Sequence, residues 1–297
     1  MSNPIDFKSL AQKIAQEKDY APLLPVLEKE LLHYEILAAL DEARLLDNLV
    51  FQGGTSLRLC YGSERFSEDL DFAGGTNFNS ANMSSIKEVL EAAITNRYDV
   101  EVHVREPGKR VIEQISTTES TVLVDCWQIQ VITSIRRPDI PQQRIKLEVA
   151  AVPAHTKSIR TLLVNYAELP FGYSNILIPV EEPEEIAADK LLALAMSTYT
   201  RYRDIWDLRW LTTRPRFDKI LVKELLEKKT FDYHVDHHFH NTASDLVTRL
   251  PELVTGDAFI ELMRRFLPIK TLEQTLEREQ FRVQMISVLE ELYASVL

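Results

Sequence analysis

Apolar positions recur at three- and four-residue intervals from residue 5 to 46, which predicts two helices. Pro22 and Pro25 open the second, whose apolar face runs through Leu31, Leu32, Ile36, Leu37, Leu40 and Leu45. Leu49, Val50 and Phe51 suit a buried strand, and Gly53-Gly54 a tight turn. Leu57, Cys60 and Tyr61 then keep the spacing of a short helix that Gly62 stops. Residues 79–96 read as a helix. Tyr98 to Arg105 alternates Val100, Val102 and Val104 against Asp99, Glu101 and His103, the pattern of a half-buried strand. Thr121 to Ile132 predicts a long strand, broken at Arg136-Arg137-Pro138, and alternation resumes from Arg144 to Ala150. A short strand over Ile176–Val180 is the last. Pro183 marks a change of domain, and from there to Leu297 the pattern is helical, ending in an amphipathic helix from Thr271.

The expected architecture is therefore α/β: an N-terminal lobe over 1–180 with a mixed β-sheet flanked by helices, followed by an all-helical C-terminal lobe over 181–297. A hydrophobic share of 45% and a charged share of 27% fit ordinary folded lobes. No apolar run approaches transmembrane length and MSNPIDFKSL has no signal-peptide apolar region, so the expectation is a cytoplasmic protein without a membrane partner. Cys60 and Cys126 are too few for a disulfide framework and read as small apolar side chains. A net charge of -11 argues against broad nucleic-acid coating but leaves room for a local basic groove. Residues 201–216 carry five arginines and two aspartates with Trp206 and Trp210, which suits either RNA contact or a solvated charged face. The tract from His234 to His240 matches no metal-ligand spacing and reads as helix surface or loop.

Chemistry concentrates between Leu49 and Ala73. Counted out to Gly75, this stretch holds Gly53, Gly54, Gly62, Gly74 and Gly75, five of the chain's eight glycines. A glycine turn feeding a helix leaves backbone N–H groups and a positive dipole end, where a polyphosphate can lie, and Thr55 and Ser56 add hydroxyls. In an extended strand Asp69 and Asp71 share one face while Leu70 and Phe72 take the other. Paired carboxylates are hard ligands for Mg²⁺, which commonly takes one or two of them plus substrate phosphates. Taken singly, an Asp-x-Asp is a strand end and a Gly-Gly is a turn. In Arg144–Ala150 the same alternation puts Lys146 and Glu148 on one face. Glu148 becomes a third acidic ligand if this strand lies beside the first; otherwise the pair is a surface strand end.

The run GGTSLRLCYGSERFSEDLDF resembles the first motif of the nucleotidyltransferase β superfamily and, more narrowly, the AbiEii-type nucleotidyltransferase toxins of toxin–antitoxin systems. EEIAADKLLAL and RYRDIWDL resemble the third and fourth motifs of that family, where a lysine and an aspartate belong to the active site. The resemblance implies that Gly53, Gly54, Thr55, Ser56, Ser67 and Lys190 bind the nucleotide. It also implies that Asp69, Asp71 and Glu148 hold Mg²⁺ or Mn²⁺, and that Asp69, Asp71, Lys190 and Asp204 are catalytic, with Arg58, Lys146 and Asp207 as weaker candidates. The site is expected between the lobes. On a helical wheel Lys190 lies in an apolar stripe with Ile186, Ala187, Ala193 and Leu194, and either snorkelling or a structural ion pair with Asp204 satisfies it. The activity implied is transfer of a nucleoside monophosphate from an NTP to RNA, at the tRNA 3′ end, with arrest of translation and a cognate antitoxin as partner. The alternatives are a nucleotidyltransferase acting on a small molecule or protein side chain, and a noncatalytic NTP-binding module.

Overall fold

The computed structural model describes residues 5–108, 111–114, 121–133 and 142–297, so the break expected at 136–138 lies outside the described residues. The chain divides into two compact units, Met1–Val111 with Leu123–Val180, and Ile112–Val122 with Glu181–Leu297.

In the first unit, helices α1 (Phe7–Glu17) and α2 (Leu24–Glu42) precede strand β1 (Val50–Gln52), helix α3 (Gly53–Tyr61) and strand β2 (Leu70–Ala73). Helix α4 (Ile86–Tyr98) and strands β3 (Glu101–Arg105), β4 (Val111–Gln114), β5 (Thr121–Ile132), β6 (Gln143–Ala150), β7 (Ser158–Thr161) and β8 (Leu177–Val180) follow. The main path of the sheet is β3-β5-β6-β2-β1-β8-β7, which puts β2 at its middle. β2 runs parallel to β6 and β1 parallel to β8, while β1–β2 and β5–β6 are antiparallel. The sheet is mixed, as expected.

Alternation sorts the strands into two faces. Phe51 is paired in register with Phe72, their rings stacked 5.0 Å apart, and Leu70, Leu147 and Val149 join them in full burial. Truncating such a ring costs about 3–5 kcal/mol. With one side of β2 locked into this core, Asp71 must face the other. Helix α2 packs on β6 and is buried almost all round. Its polar side chains are therefore partnered: Glu30 pairs with Arg58 at 2.9 Å, and His33 Nε2 donates to the Glu68 carbonyl at 3.0 Å.

Several boundaries differ from the sequence expectation. Asn79 caps a 3-10 turn over Ser80–Met83, accepting from the Ala81 N–H while Asn82 accepts from Asn79, so α4 starts only at Ile86. Asp99 then adopts a left-handed φ of 51° and ends α4, which leaves Tyr98 in the helix, edge-on to Phe7, rather than opening a strand. β4 and β7 are short, and neither alternation nor turn chemistry announced them.

The second unit holds α5 (Pro183–Met196), α6 (Tyr202–Leu211), α7 (Lys219–Asp232), α8 (Asp236–Thr255), α9 (Asp257–Met263), α10 (Ile269–Gln274) and α11 (Glu279–Val296). The amphipathic tail expected as one helix is divided between α10 and α11, because the Leu272 carbonyl accepts from both Thr275 and Glu277 and turns the chain. His237, His238 and His240 are exposed on the first turns of α8.

Between α5 and α7 lies an ionic cluster around a fully buried lysine, with Asp189 at its rim. Lys229 Nζ stands 3.1 Å from Glu181 Oε1, 2.8 Å from Glu185 Oε1 and 3.0 Å from Asp189 Oδ2. Burial pushes the carboxyls of Glu181 and Asp189 above their ordinary range; Asp189 and Glu185 push Glu181 further and Glu185 pushes Asp189, while Lys229 pulls both back without cancelling the rise. Burial would lower the Lys229 ammonium, but the three acids hold it well above its usual value.

Candidate active site

The site is assembled where β1 ends. After Gln52 the chain takes a left-handed φ of 76° at Gly53 and enters α3 at once, so the two glycines form its first turn instead of preceding it. A Cβ on Gly53 would stand 2.8 Å from Asp71 Oδ2; one on Gly54 would stand 2.2 Å from Arg65 Nη2 and 3.0 Å from Ser67 Oγ. The glycines are thus what lets a carboxylate, a guanidinium and a hydroxyl close on the N-terminus of α3.

The carboxylates come from neighbouring strands. Asp71 on β2 is the Cα partner of Glu148 on β6, and the same cross-sheet row continues to Gln52 on β1 and Cys126 on β5. Partners in register project to one face, so Asp71 and Glu148 stand side by side. Asp69 lies one residue ahead of β2, where its Oδ1 accepts the Lys146 backbone N–H at 3.0 Å. Three further contacts hold this segment: Thr55 Oγ1 donates to the Asp69 carbonyl, His33 to that of Glu68, and Lys29 Nζ reaches the Glu68 carboxylate at 2.8 Å. Lys146 Nζ is 3.5 Å from Glu148 Oε1, half-exposed, and its ammonium pKa is raised first by Glu148.

Some expected donors are already engaged. Thr55 and Ser56 are buried, and the Ser56 hydroxyl donates to the Gly53 carbonyl at 2.8 Å. Both hydroxyl protons go to backbone, leaving the N–H groups of α3 and the Ser67 hydroxyl facing Gly54 as candidates for a phosphate. Arg58 lies inside the fold: it pairs with Glu30, donates to the carbonyls of Ser63 and Glu64 at 3.1 Å each, and covers the Phe66 ring at 4.2 Å. Two residues at the site were not among those expected: Arg65, whose Nη1 donates to the Phe66 carbonyl at 2.6 Å, and Gln52, the register partner of Asp71. Cys126, expected only to pack, adjoins Glu148, and its thiol is pushed up to about 12, by burial first and then by that carboxylate.

Among the described residues no three His, Cys, Asp or Glu side chains are gathered into a metal cage. The donors present are instead an open pair of hard carboxylates, with Asp69 tethered beside them, the set that suits a cation completed by substrate phosphates and water.

In the second unit, Lys190 Nζ is 2.7 Å from Asp204 Oδ1 and 2.8 Å from Asp207 Oδ2, and Arg201 Nε donates to Asp204 Oδ2 at 2.5 Å. Lys190, Asp204 and Asp207 are all buried. Burial would raise the Asp204 carboxyl, but Lys190 and Arg201 outweigh it and hold it below the ordinary carboxylate range. Helical spacing leaves snorkelling and pairing open for Lys190. The structure forms the pair, with Asp207 as a second acid.

No curated protein matches the chain. Among solved structures it is similar to MenT4, a nucleotidyltransferase toxin from Mycobacterium tuberculosis H37Rv, at 18% identity and a TM-score of 0.58, over 97% of this chain and 89% of that one. It is also similar to JHP933 from Helicobacter pylori, at 19% identity and a TM-score of 0.49, over 91% and 93% of the two chains. The first likeness establishes the fold. A family model described as nucleotidyl transferase AbiEii toxin, type IV toxin–antitoxin system, matches residues 35–292 and so takes in the glycine turn, both carboxylate strands and the helices of the second unit. By that match the chain belongs to the AbiEii nucleotidyltransferase toxin family.

Proposed function

We propose that this protein transfers a nucleoside monophosphate from an NTP to RNA, at the 3′ end of tRNA, and thereby arrests translation. The observation that carries the reading is the register pair Asp71 and Glu148 standing beside the Gly53-Gly54 turn, two hard ligands next to an anion-binding helix end. Backbone N–H groups of α3 and the Ser67 hydroxyl bind the triphosphate, and Asp71, Glu148 and Asp69 hold a Mg²⁺ or Mn²⁺ ion. The chemistry a bound ion supplies is polarisation of the phosphoryl oxygens and activation of the attacking hydroxyl. Attack of that hydroxyl oxygen on the α-phosphorus releases pyrophosphate. Thr55 and Ser56 support the reading as scaffold, through their hydrogen bonds to the Asp69 and Gly53 carbonyls. Lys146, half-exposed beside Glu148, supplies a positive charge at the margin.

Family membership implies a cognate antitoxin, and the proposed substrates place the protein in the cytoplasm. No helix among the described residues is long and apolar enough to cross a membrane. The test is incubation with each α-labelled NTP, Mg²⁺ and total RNA. Label in the tRNA fraction is the expected result. Label on a small metabolite or on protein moves the acceptor to those classes, and absence of transfer with retained NTP binding makes the chain a noncatalytic module.

A further inference from the structure

Tyr199 lies in the connection 197–201 between α5 and α6 and is 67% exposed. It is not loose. Its hydroxyl accepts from Arg201 Nη1 at 3.0 Å, Arg201 donates onward to Asp204, and Asp204 is held by Lys190 at 2.7 Å. Side-chain exposure falls along this chain from Arg201 at 37% to Asp204 at 7% and Lys190 at 8%, so a buried ionic anchor fixes an outward-facing ring.

Charge follows the same division. Asp204 and Asp207, the two acids of 201–216, are buried, while Arg201, Arg203, Arg209 and Arg214 are half-buried and Arg216 is exposed. Arg203 lies over Phe266 at 5.0 Å, Arg209 over Phe281 at 5.5 Å and Arg214 over Trp210 at 5.0 Å. The segment therefore carries several half-buried, ring-supported guanidiniums on a chain whose net charge is -11. Positive groups tracking a backbone beside an aromatic face are how single-stranded nucleic acid is held.

We infer that Tyr199 is a stacking platform for an unpaired nucleobase of the RNA acceptor, with the arginines of α6 meeting adjacent phosphates and Lys190 and Asp204 acting as positioning residues that aim Arg201 and the ring. This rests on the reading of the protein as an RNA nucleotidyltransferase and adds where the RNA is gripped. It gives Lys190 and Asp204 an influence on activity that requires no contact with phosphate.

The test uses the full chain, a fluorescent single-stranded RNA oligonucleotide and a blunt RNA duplex of the same sequence. Tyr199→Ala is expected to weaken binding of the single strand about tenfold, as loss of one stacked base does, to leave the weaker duplex binding and the NTP affinity unchanged, and to raise KM for RNA in transfer. Tyr199→Trp restores binding. Asp204→Asn, checked for folding by its melting curve, shifts KM for RNA in the same direction. Arg203→Gln/Arg209→Gln lowers the salt slope, which Tyr199→Ala does not. Wild-type transfer to RNA with Tyr199→Ala unaltered overturns the platform alone, whereas no RNA binding by the wild type overturns it together with the proposed function. A loss confined to NTP or antitoxin binding reassigns the surface and also overturns the inference.

Discussion

Asp71 and Glu148 are Cα partners on adjacent parallel strands at the middle of the sheet, so the separation of their carboxylates is set by strand spacing and side-chain length. Glu148→Asp keeps the charge but withdraws it by one methylene. Misplacement on that scale costs about a hundredfold in rate. Transfer by Glu148→Asp is expected to fall by about that factor, with Glu148→Gln lower still and both melting near the wild type. Equal rates for Glu148→Gln and wild type would remove Glu148 from the site.

The glycine turn can be separated into conformation and contact. Gly53 and Gly75 both have positive φ, but a Cβ at Gly75 meets nothing within 4 Å, whereas one at Gly53 meets Asp71 Oδ2. Each alanine should cost about 1–2 kcal/mol in stability for the backbone alone. Gly53→Ala alone should also abolish transfer. Matching activity profiles for the two variants in a label-transfer assay would show that Asp71 does not depend on the turn.

Lys190→Met keeps the stem and strips the charge from between Asp204 and Asp207. Breaking a buried pair from one side costs about 3–5 kcal/mol, so a large fall in melting temperature is expected, partly recovered in Lys190→Met/Asp204→Asn. A variant that melts like the wild type yet transfers nothing would instead put the lysine directly on the phosphates.

The Lys229 cluster fixes a pH dependence. Glu181 and Asp189 have folded pKa values above their ordinary values of 4.5 and 3.8. A raised folded pKa means that the native state keeps a proton the unfolded chain has lost. Its stabilisation is full below the ordinary value and disappears as pH climbs through the folded one. The Lys229 contribution persists to higher pH, being lost only above its ordinary 10.5. Melting temperature should therefore decline as pH rises above the ordinary carboxylate range, and Glu181→Gln, which mimics the protonated acid, should flatten the decline. An unchanged slope in Glu181→Gln would mean that the proton resides elsewhere.

What was legible in the chain was whatever depends on local periodicity. The alternation of Leu70 and Phe72 against Asp69 and Asp71 gave the two faces of the sheet, and the glycines announced α3, which begins at Gly53 itself and not after the turn. Which strands are neighbours is a long-range fact. Glu148 could be offered as a ligand only on condition that β6 pairs with β2, and the Asp71–Glu148 register meets that condition. Arg65 escaped because its closeness to Gly54 depends on how residues 62–69 fold back over α3, and no periodicity describes that. Lys229 escaped for a similar reason: its partners Glu181, Glu185 and Asp189 lie at least forty residues away, and Glu181 and Glu185 are the kind of acids that helix N-termini prefer.

The central claim is that the Asp71–Glu148 pair supports nucleotidyl transfer to RNA. Wild-type protein and Asp71→Asn, matched in melting temperature, are incubated with α-labelled NTP, Mg²⁺ and total RNA, with and without EDTA. The account predicts label on RNA for the wild type only, abolished by EDTA and reduced more than about a hundredfold by Asp71→Asn. Label transferred by Asp71→Asn at the wild-type rate, or undiminished in EDTA, would contradict it.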